Sequence, residues 1–332
     1  MATDTYNGLD PHQRAFIKLV KENAHRHRCY EVFRDFCELA ALSFSNAVDR
    51  QQFEAREARY LEIVKGYSED EVNRFPAMLA ELTASLTGHF HDALGEIFMA
   101  LDLGSHWHGQ YFTPYSVASL MARMTMHDVG ERIEREGFIT LCEPAAGAGA
   151  MVIAAAEAVT ASGNNHQRQM HVTAVDVDPT AVHMAYIQLS LLHIPAIVVH
   201  GNSLTLKQWG YWVTPAHVMG FWDQRLRRRD EAAQRPTFSA APDPAPAGSE
   251  SVADAVAVVR AAVLEHRGHG QPAHLLVHLL VPGDAEEAAP HHVVLVVLVG
   301  LDEGSREHRG RRGVEDRQQG PPVADRLALF PG

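Results

Sequence analysis

The sequence has little of what secreted and membrane proteins use for stability and anchoring. Its 332 residues include only three cysteines, Cys29, Cys37 and Cys142, which is too few for a disulfide framework. No apolar run reaches the roughly 18 residues of a spanning helix, and the polar residues 1–10 offer no signal-peptide core. We therefore expect a cytoplasmic protein with one sizeable core and a smaller accessory domain.

Positive charge is also scarce. The formal net charge is −12 and only four residues are lysines, whereas a protein that coats nucleic acid by itself needs clustered Lys and Arg. The one compact basic cluster is Arg-Leu-Arg-Arg-Arg at residues 225–229. It is either a local DNA-contacting face or a solvated helix end before a linker. No His or Cys group has the paired spacing of a zinc site, so no metal is expected.

Residues 1–104 are predicted to form a helical N-terminal segment. Apolar residues between Leu79 and Leu101 recur at steps of three and four, which places them on one helical face. Ser68, followed by acidic residues, predicts a helix start. Pro76 predicts an interruption or a restart of that helix. The segment carries no catalytic spacing.

Residues 105–228 change character, because short β-type runs alternate with helical runs. We predict strands at 138–142, 170–175 and 196–200, and helices at 115–125, 151–159 and 179–192. This order predicts an α/β fold with a parallel sheet and right-handed crossovers. Ligands of such sheets bind at the carboxyl ends of the strands.

Residues 229–332 form a third, atypical segment. It contains no Lys, Asn, Ile, Cys, Tyr, Trp or Met and is rich in Ala, Val, Arg and Pro. Three interpretations remain open: a poorly packed or disordered tail, the remaining strands of the sheet at 275–282 and 293–300, or a shifted-frame translation of a GC-rich gene. Composition favours the first or the third.

Four motifs in the α/β region indicate a nucleotide-like ligand. Glu-Pro-Ala-Ala-Gly-Ala-Gly at 143–149 follows the first strand, and its glycines allow close backbone approach at a helix N-terminus. Asp176 ends the second strand, where a carboxylate binds ribose hydroxyls, whereas Asp178 suits a helix cap. Asn202 follows the third strand and suits either an adenine edge or a turn. Upstream, Gly-Gln-Tyr-Phe-Thr-Pro at 109–114 precedes a helix, with Thr113 as its expected cap and Pro114 at its first position.

These motifs, in this order, resemble the adenine-N6 DNA methyltransferases, and the modification subunits of type I restriction systems among them. The resemblance covers about residues 105–210. It implies a Rossmann-like class I S-adenosylmethionine-dependent methyltransferase sheet, with DNA as substrate and a specificity subunit as a partner. The implied cofactor-binding residues are Gln110, Tyr111, Phe112, Thr113, Pro114, Glu143, Pro144, Ala145, Gly147, Gly149, Asp176, Asn202 and Leu204.

The resemblance breaks at the motif that would hold the base. The family places an Asn or Asp, two prolines and an aromatic residue after the fourth strand, where they bind an adenine flipped out of the duplex. The nearest candidate is Thr214-Pro215-Ala216-His217, which is either a degenerate catalytic motif or a structural Pro-containing loop. The sequence thus predicts a DNA adenine-N6 methyltransferase, or an inactive cofactor-binding subunit. A dinucleotide-binding protein ranks last, since the third glycine of its loop is missing.

Overall fold

The computed structural model describes residues 8–103 and 112–233, together with three two-residue strands further along the chain. The helices are α1 Pro11–Asn23, α2 Cys29–Val48, α3 Phe53–Val64, α4 Glu69–Leu86, α5 Ala93–Ala100, α6 Tyr115–Thr125, α7 Val129–Glu136, α8 Ala150–Ala161, α9 His166–Gln169, α10 Pro179–Leu191, α11 Pro215–Met219 and α12 Trp222–Ala233. The strands are β1 Ile139–Glu143, β2 Met170–Asp176, β3 Ala196–Asn202, β4 Lys207–Val213, β5 Leu276–Val277, β6 Val293–Val294 and β7 Val296–Val297. Every described residue belongs to one compact unit within residues 1–300.

The sheet has the order β4-β3-β2-β1-β6. Strands β1, β2 and β3 are parallel neighbours, as the alternation of strands and helices predicts. Strand β4 runs antiparallel to β3, while β6 pairs parallel to β1 through Val293 and Val294. The predicted α/β class is therefore confirmed. We call the edge where β1–β3 end the carboxyl edge, and the edge where they begin the amino edge.

Helix α10 joins the N-terminal helices to the sheet. Its residues 180–190 are all buried, as expected of a mostly apolar helix that is covered by other elements on every side. It packs against β2 and β3, and also against α2 and α5. The helical segment and the sheet therefore share one continuous hydrophobic core.

One prediction about the helical segment is wrong. Pro76 neither interrupts nor restarts its helix, since α4 runs unbroken from Glu69 to Leu86. A proline removes one backbone hydrogen bond, but Phe75, Met78 and Leu82 on either side of it are buried in the core. Their packing outweighs the lost bond. Among the described helices, none combines the length and apolar character needed to cross a bilayer.

Candidate functional site

The carboxyl edge brings three predicted site residues together. Glu143 ends β1 and Asp176 ends β2, and the strands pair with Glu143 beside Ala174. Asn202 ends β3, two residues beyond His200, which pairs with Asp176. Because the strands are parallel, their ends and the loops that follow them face one region of solvent.

The glycine turn between β1 and α8 has a backbone that only glycine adopts easily. Gly147 has φ +53° and Gly149, which precedes α8, has φ +100°. A Cβ atom at Gly147 would lie 3.0 Å from the ring of Phe112. That ring packs edge-on against Phe98 with centroids 5.1 Å apart. Phe112 thus lies directly against the turn, next to the expected ligand.

Glu143 is the most unusual group of the site. Its side chain is 1% exposed; one carboxyl oxygen accepts a 3.1 Å hydrogen bond from the Ala145 amide, and Oε2 has no partner among the described residues. Burial, with a smaller contribution from the nearby Asp176 carboxylate, raises the pKa of Glu143 to about 8. A buried carboxyl oxygen without a partner costs free energy that a bound ammonium group would recover. The residues present therefore fit the amino acid end of S-adenosylmethionine.

Asp176 holds the glycine turn against β2. Its Oδ2 accepts from the Gly147 amide at 2.8 Å and its Oδ1 from the Asp178 amide at 2.9 Å. Burial raises its pKa as well. Asp178 caps α10, since its Oδ1 accepts from the amides of Thr180 and Ala181. The cap role of Asp178 is confirmed, while ribose binding by Asp176 stays a prediction.

Asn202 forms the turn that follows β3. Its Oδ1 accepts from the amides of Leu204 and Thr205, each at 3.0 Å. The side-chain oxygen of Asn202 is therefore used by the turn, as the turn interpretation predicts. Its amide nitrogen makes no hydrogen bond within residues 8–103 and 112–233, so contact with an adenine through that donor stays a prediction.

Buried hydrogen bonds of Gln188 hold the glycine turn in place, and they were not predicted from the sequence. The Gln188 amide donates at 2.8 Å to both the Ala148 carbonyl and Asp92 Oδ1, and its oxygen accepts from the Leu94 amide at 3.0 Å. Burial raises the pKa of Asp92 to about 6. A glutamine within the mostly apolar α10 was the available signal.

The motif upstream of α6 is only partly described. Gln110 and Tyr111 lie outside the described residues. The predicted cap is wrong by one residue: Pro114, not Thr113, precedes α6, and no side chain caps the helix. Tyr115, the first helical residue, instead donates to Glu157 on α8 at 2.8 Å, which ties α6 to the helix that follows the glycine turn.

The predicted catalytic pair Thr214 and Pro215 lies at the wrong edge of the sheet. Since β4 is antiparallel, its end meets Ala196 and Ile197 at the start of β3. The seven residues of β3 span six steps of about 3.3 Å, which places Thr214 roughly 20 Å from Asn202.

The hydroxyl of Thr214 is also fully engaged. The side chain is completely buried, and it donates to the Ile194 carbonyl and accepts from the Ala196 amide, both at 2.9 Å. It further accepts from the His217 amide as the cap of α11, with Pro215 in the first turn. Assigning Thr214 and Pro215 to catalysis is therefore corrected: this is the structural Pro-containing loop.

A cleft of about 330 Å³ lies away from the glycine turn, between α2, α3, α10 and β4. Buried Arg56 dominates its wall. The guanidinium lies 4.0 Å from the centre of the Trp212 ring and donates to the Tyr211 carbonyl at 2.7 Å. These contacts anchor β4 to the N-terminal helices, and we assign the cleft no part in the chemistry.

Comparison with protein families agrees with the motifs. Residues 96–241 match the N-6 DNA Methylase family, which confirms the resemblance predicted from residues 105–210. A Listeria monocytogenes protein assigned to the class I S-adenosylmethionine-dependent methyltransferases is 14% identical, with a TM-score of 0.36 over 59% of this chain and 55% of that one. The type I restriction-modification system methyltransferase subunit from Streptococcus thermophilus is 18% identical, with a TM-score of 0.32 over 58% and 40%. The chain thus spans about half the length of these solved structures or less, and no curated protein matches it.

Proposed function

We propose, from the membership of residues 96–241 in the N-6 DNA methylase family, that this chain is an S-adenosylmethionine-dependent DNA methyltransferase acting on the exocyclic amino group of adenine. The observation that carries the proposal is the buried Glu143 oxygen without a partner beside a left-handed glycine turn. Both features stand at the carboxyl edge, where the motifs predict the cofactor.

Each residue of this edge has a task that its geometry supports. Glu143, once ionised, would pair with the cofactor's ammonium group, and the positive end of α8 behind Gly149 would face its carboxylate. Asp176 would accept from ribose hydroxyls, and the Asn202 amide would meet the adenine ring. Bound S-adenosylmethionine supplies an electrophilic methyl group on its sulfonium. Phe112 would exclude water from the side of the turn.

Transfer of a labelled methyl group tests this function. Full-length protein is incubated with methyl-labelled S-adenosylmethionine and DNA of varied sequence, with and without a candidate specificity subunit, and the digested DNA is examined for N6-methyladenine. We expect label in adenine, and none when Glu143→Gln replaces the wild type. Label in cytosine, or in protein only, would contradict the assignment.

A second function is favoured by the position of Thr214. Its burial at the amino edge leaves the chain without the tetrapeptide that family members use to hold the base. The alternative is a catalytically inactive S-adenosylmethionine-binding subunit or regulator. Saturable cofactor binding with no methyl transfer to any DNA, with or without a partner, would establish this alternative.

A further inference from the structure

The hairpin between β3 and β4 carries an unusual set of exposed apolar side chains. We define the hairpin tip as residues 202–209. Leu204 and Leu206 are 85% and 80% exposed, and Trp209 is 49% exposed. Exposed large apolar residues at one place mark a binding surface when they cluster. The tip begins at Asn202, the last residue of β3, so it is continuous with the carboxyl edge.

Two backbone irregularities support a binding role for the tip. Leu206 has φ +57°, a left-handed conformation that is strained for a branched residue and is typical of functional sites. The register of β3 and β4 shifts between His200 and Gly201, and Trp209 is the extra residue on β4. Bulges of this kind redirect side chains beside active sites.

Neighbouring groups hold Trp209 close to the loop that follows β2. Its ring lies 4.9 Å from the His200 ring, centroid to centroid. His200 in turn donates from Nε2 to the Val177 carbonyl at 3.2 Å, and Val177 follows Asp176. The tryptophan is thereby linked to the loop after β2. Arg56 donates to the Tyr211 carbonyl near the other end of β4. The tip therefore extends from a strand that is held in place by the N-terminal helices.

Charge favours an anionic occupant for the tip. The chain has a net charge of −12, yet it contains no acidic residue between Asp178 and Asp223. Lys207 stands within the tip itself. A polyanion can therefore approach this part of the carboxyl edge without local repulsion from the tip.

We propose that the hairpin tip contacts the bases of the nucleic acid substrate, with Trp209 stacking on an unstacked base and Leu204 and Leu206 entering the base stack. The inference rests on the proposed function, because methyl transfer requires the base to reach the carboxyl edge. Thr214 cannot supply this contact from the amino edge. Aromatic stacking and apolar wedges are the ordinary means by which proteins hold unstacked bases.

The test uses full-length protein and a DNA duplex with 2-aminopurine in place of an adenine that the wild type methylates or binds. Trp209→Ala and Leu206→Ala are compared with the wild type. We expect DNA affinity to fall about tenfold for Trp209→Ala and the 2-aminopurine emission that reports unstacking to disappear in both. S-adenosylmethionine affinity should be unchanged in both variants, which separates this inference from cofactor binding. Trp209→Phe keeps a ring and should restore most of the affinity.

Matched controls come from exposed apolar residues elsewhere. The first control, Phe221→Ala, removes a side chain that is 66% exposed just before α12. The second, Leu61→Ala/Met124→Ala, removes side chains on α3 and α6 that are 49% and 65% exposed. Neither control should change DNA binding. Tip variants that bind and unstack DNA like the wild type overturn the inference and leave the proposed function intact. The inference is also overturned if the tip variants keep DNA binding but no longer sediment with anionic vesicles, because the tip would then contact a membrane surface. A wild type that binds no cofactor overturns both.

Discussion

The titration of Glu143 gives cofactor binding a pH signature. Burial raises its pKa to about 8, so at pH 6 the side chain is almost wholly protonated. A bound ammonium group favours the ionised carboxylate, and formation of the complex therefore releases about one proton. Between pH 6 and 7 the fraction of ionised Glu143 rises about tenfold, and the affinity for S-adenosylmethionine should rise by about the same factor. The expected rise in affinity stops near pH 7, because the α-amino group of the cofactor itself loses its proton at about pH 8.

Calorimetry at pH 6 in two buffers of different ionisation enthalpy measures the released proton. Glu143→Gln should abolish the release and weaken binding by about 2–5 kcal/mol, which is about 30-fold or more, since a buried charged partner is lost. Glu134→Gln changes an exposed carboxylate on α7 and serves as the control. No proton release, together with an affinity that is flat from pH 6 to 7, would refute the reasoning.

Four further predictions follow from the same contacts. Because the folded-state pKa of Glu143 is raised, its contribution to stability is full below about pH 4.5 and is lost as the pH rises to about 8; Glu143→Gln should flatten this fall in denaturant titrations. Gly147→Ala should abolish cofactor binding, because φ is +53° and its Cβ would meet Phe112, while Gly137→Ala, with φ +79° and open space, should only destabilise by about 1 kcal/mol. Thr214→Val should cost about 1–3 kcal/mol of unfolding free energy with cofactor affinity unchanged; selective loss of methyl transfer would contradict that. Asp176→Asn should weaken S-adenosylmethionine more than free methionine in competition binding, and equal losses would exclude a ribose contact.

Much of the sheet could be predicted because its signals are local. Strands β1–β3 fall within one or two residues of the predicted runs, and α10 follows the cap at Asp178 and the proline after it. Each run is a short apolar stretch bounded by a polar or glycine turn. The glycine turn and Asp176 were predictable for the same reason, since both depend on residue types at a strand end.

The parts that could not be predicted depend on contacts distant in sequence. Strand β4 has exposed residues at its start and no alternation, and nothing local states that it runs antiparallel. That direction alone moves Thr214 from the expected carboxyl edge to the amino edge. The bridge from Gln188 to Asp92 spans 96 residues. Beyond residue 233, strands β6 and β7 fall inside the predicted run 293–300, and β5 falls inside 275–282.

The central claim is that Glu143 and the glycine turn hold S-adenosylmethionine at the carboxyl edge. Binding of S-adenosylmethionine and of NAD to the full-length wild type and to Glu143→Gln at pH 7 tests this most directly. We expect one S-adenosylmethionine site, which the substitution removes, and no NAD binding. Tighter binding of NAD, or S-adenosylmethionine binding that survives Glu143→Gln unchanged, would contradict it.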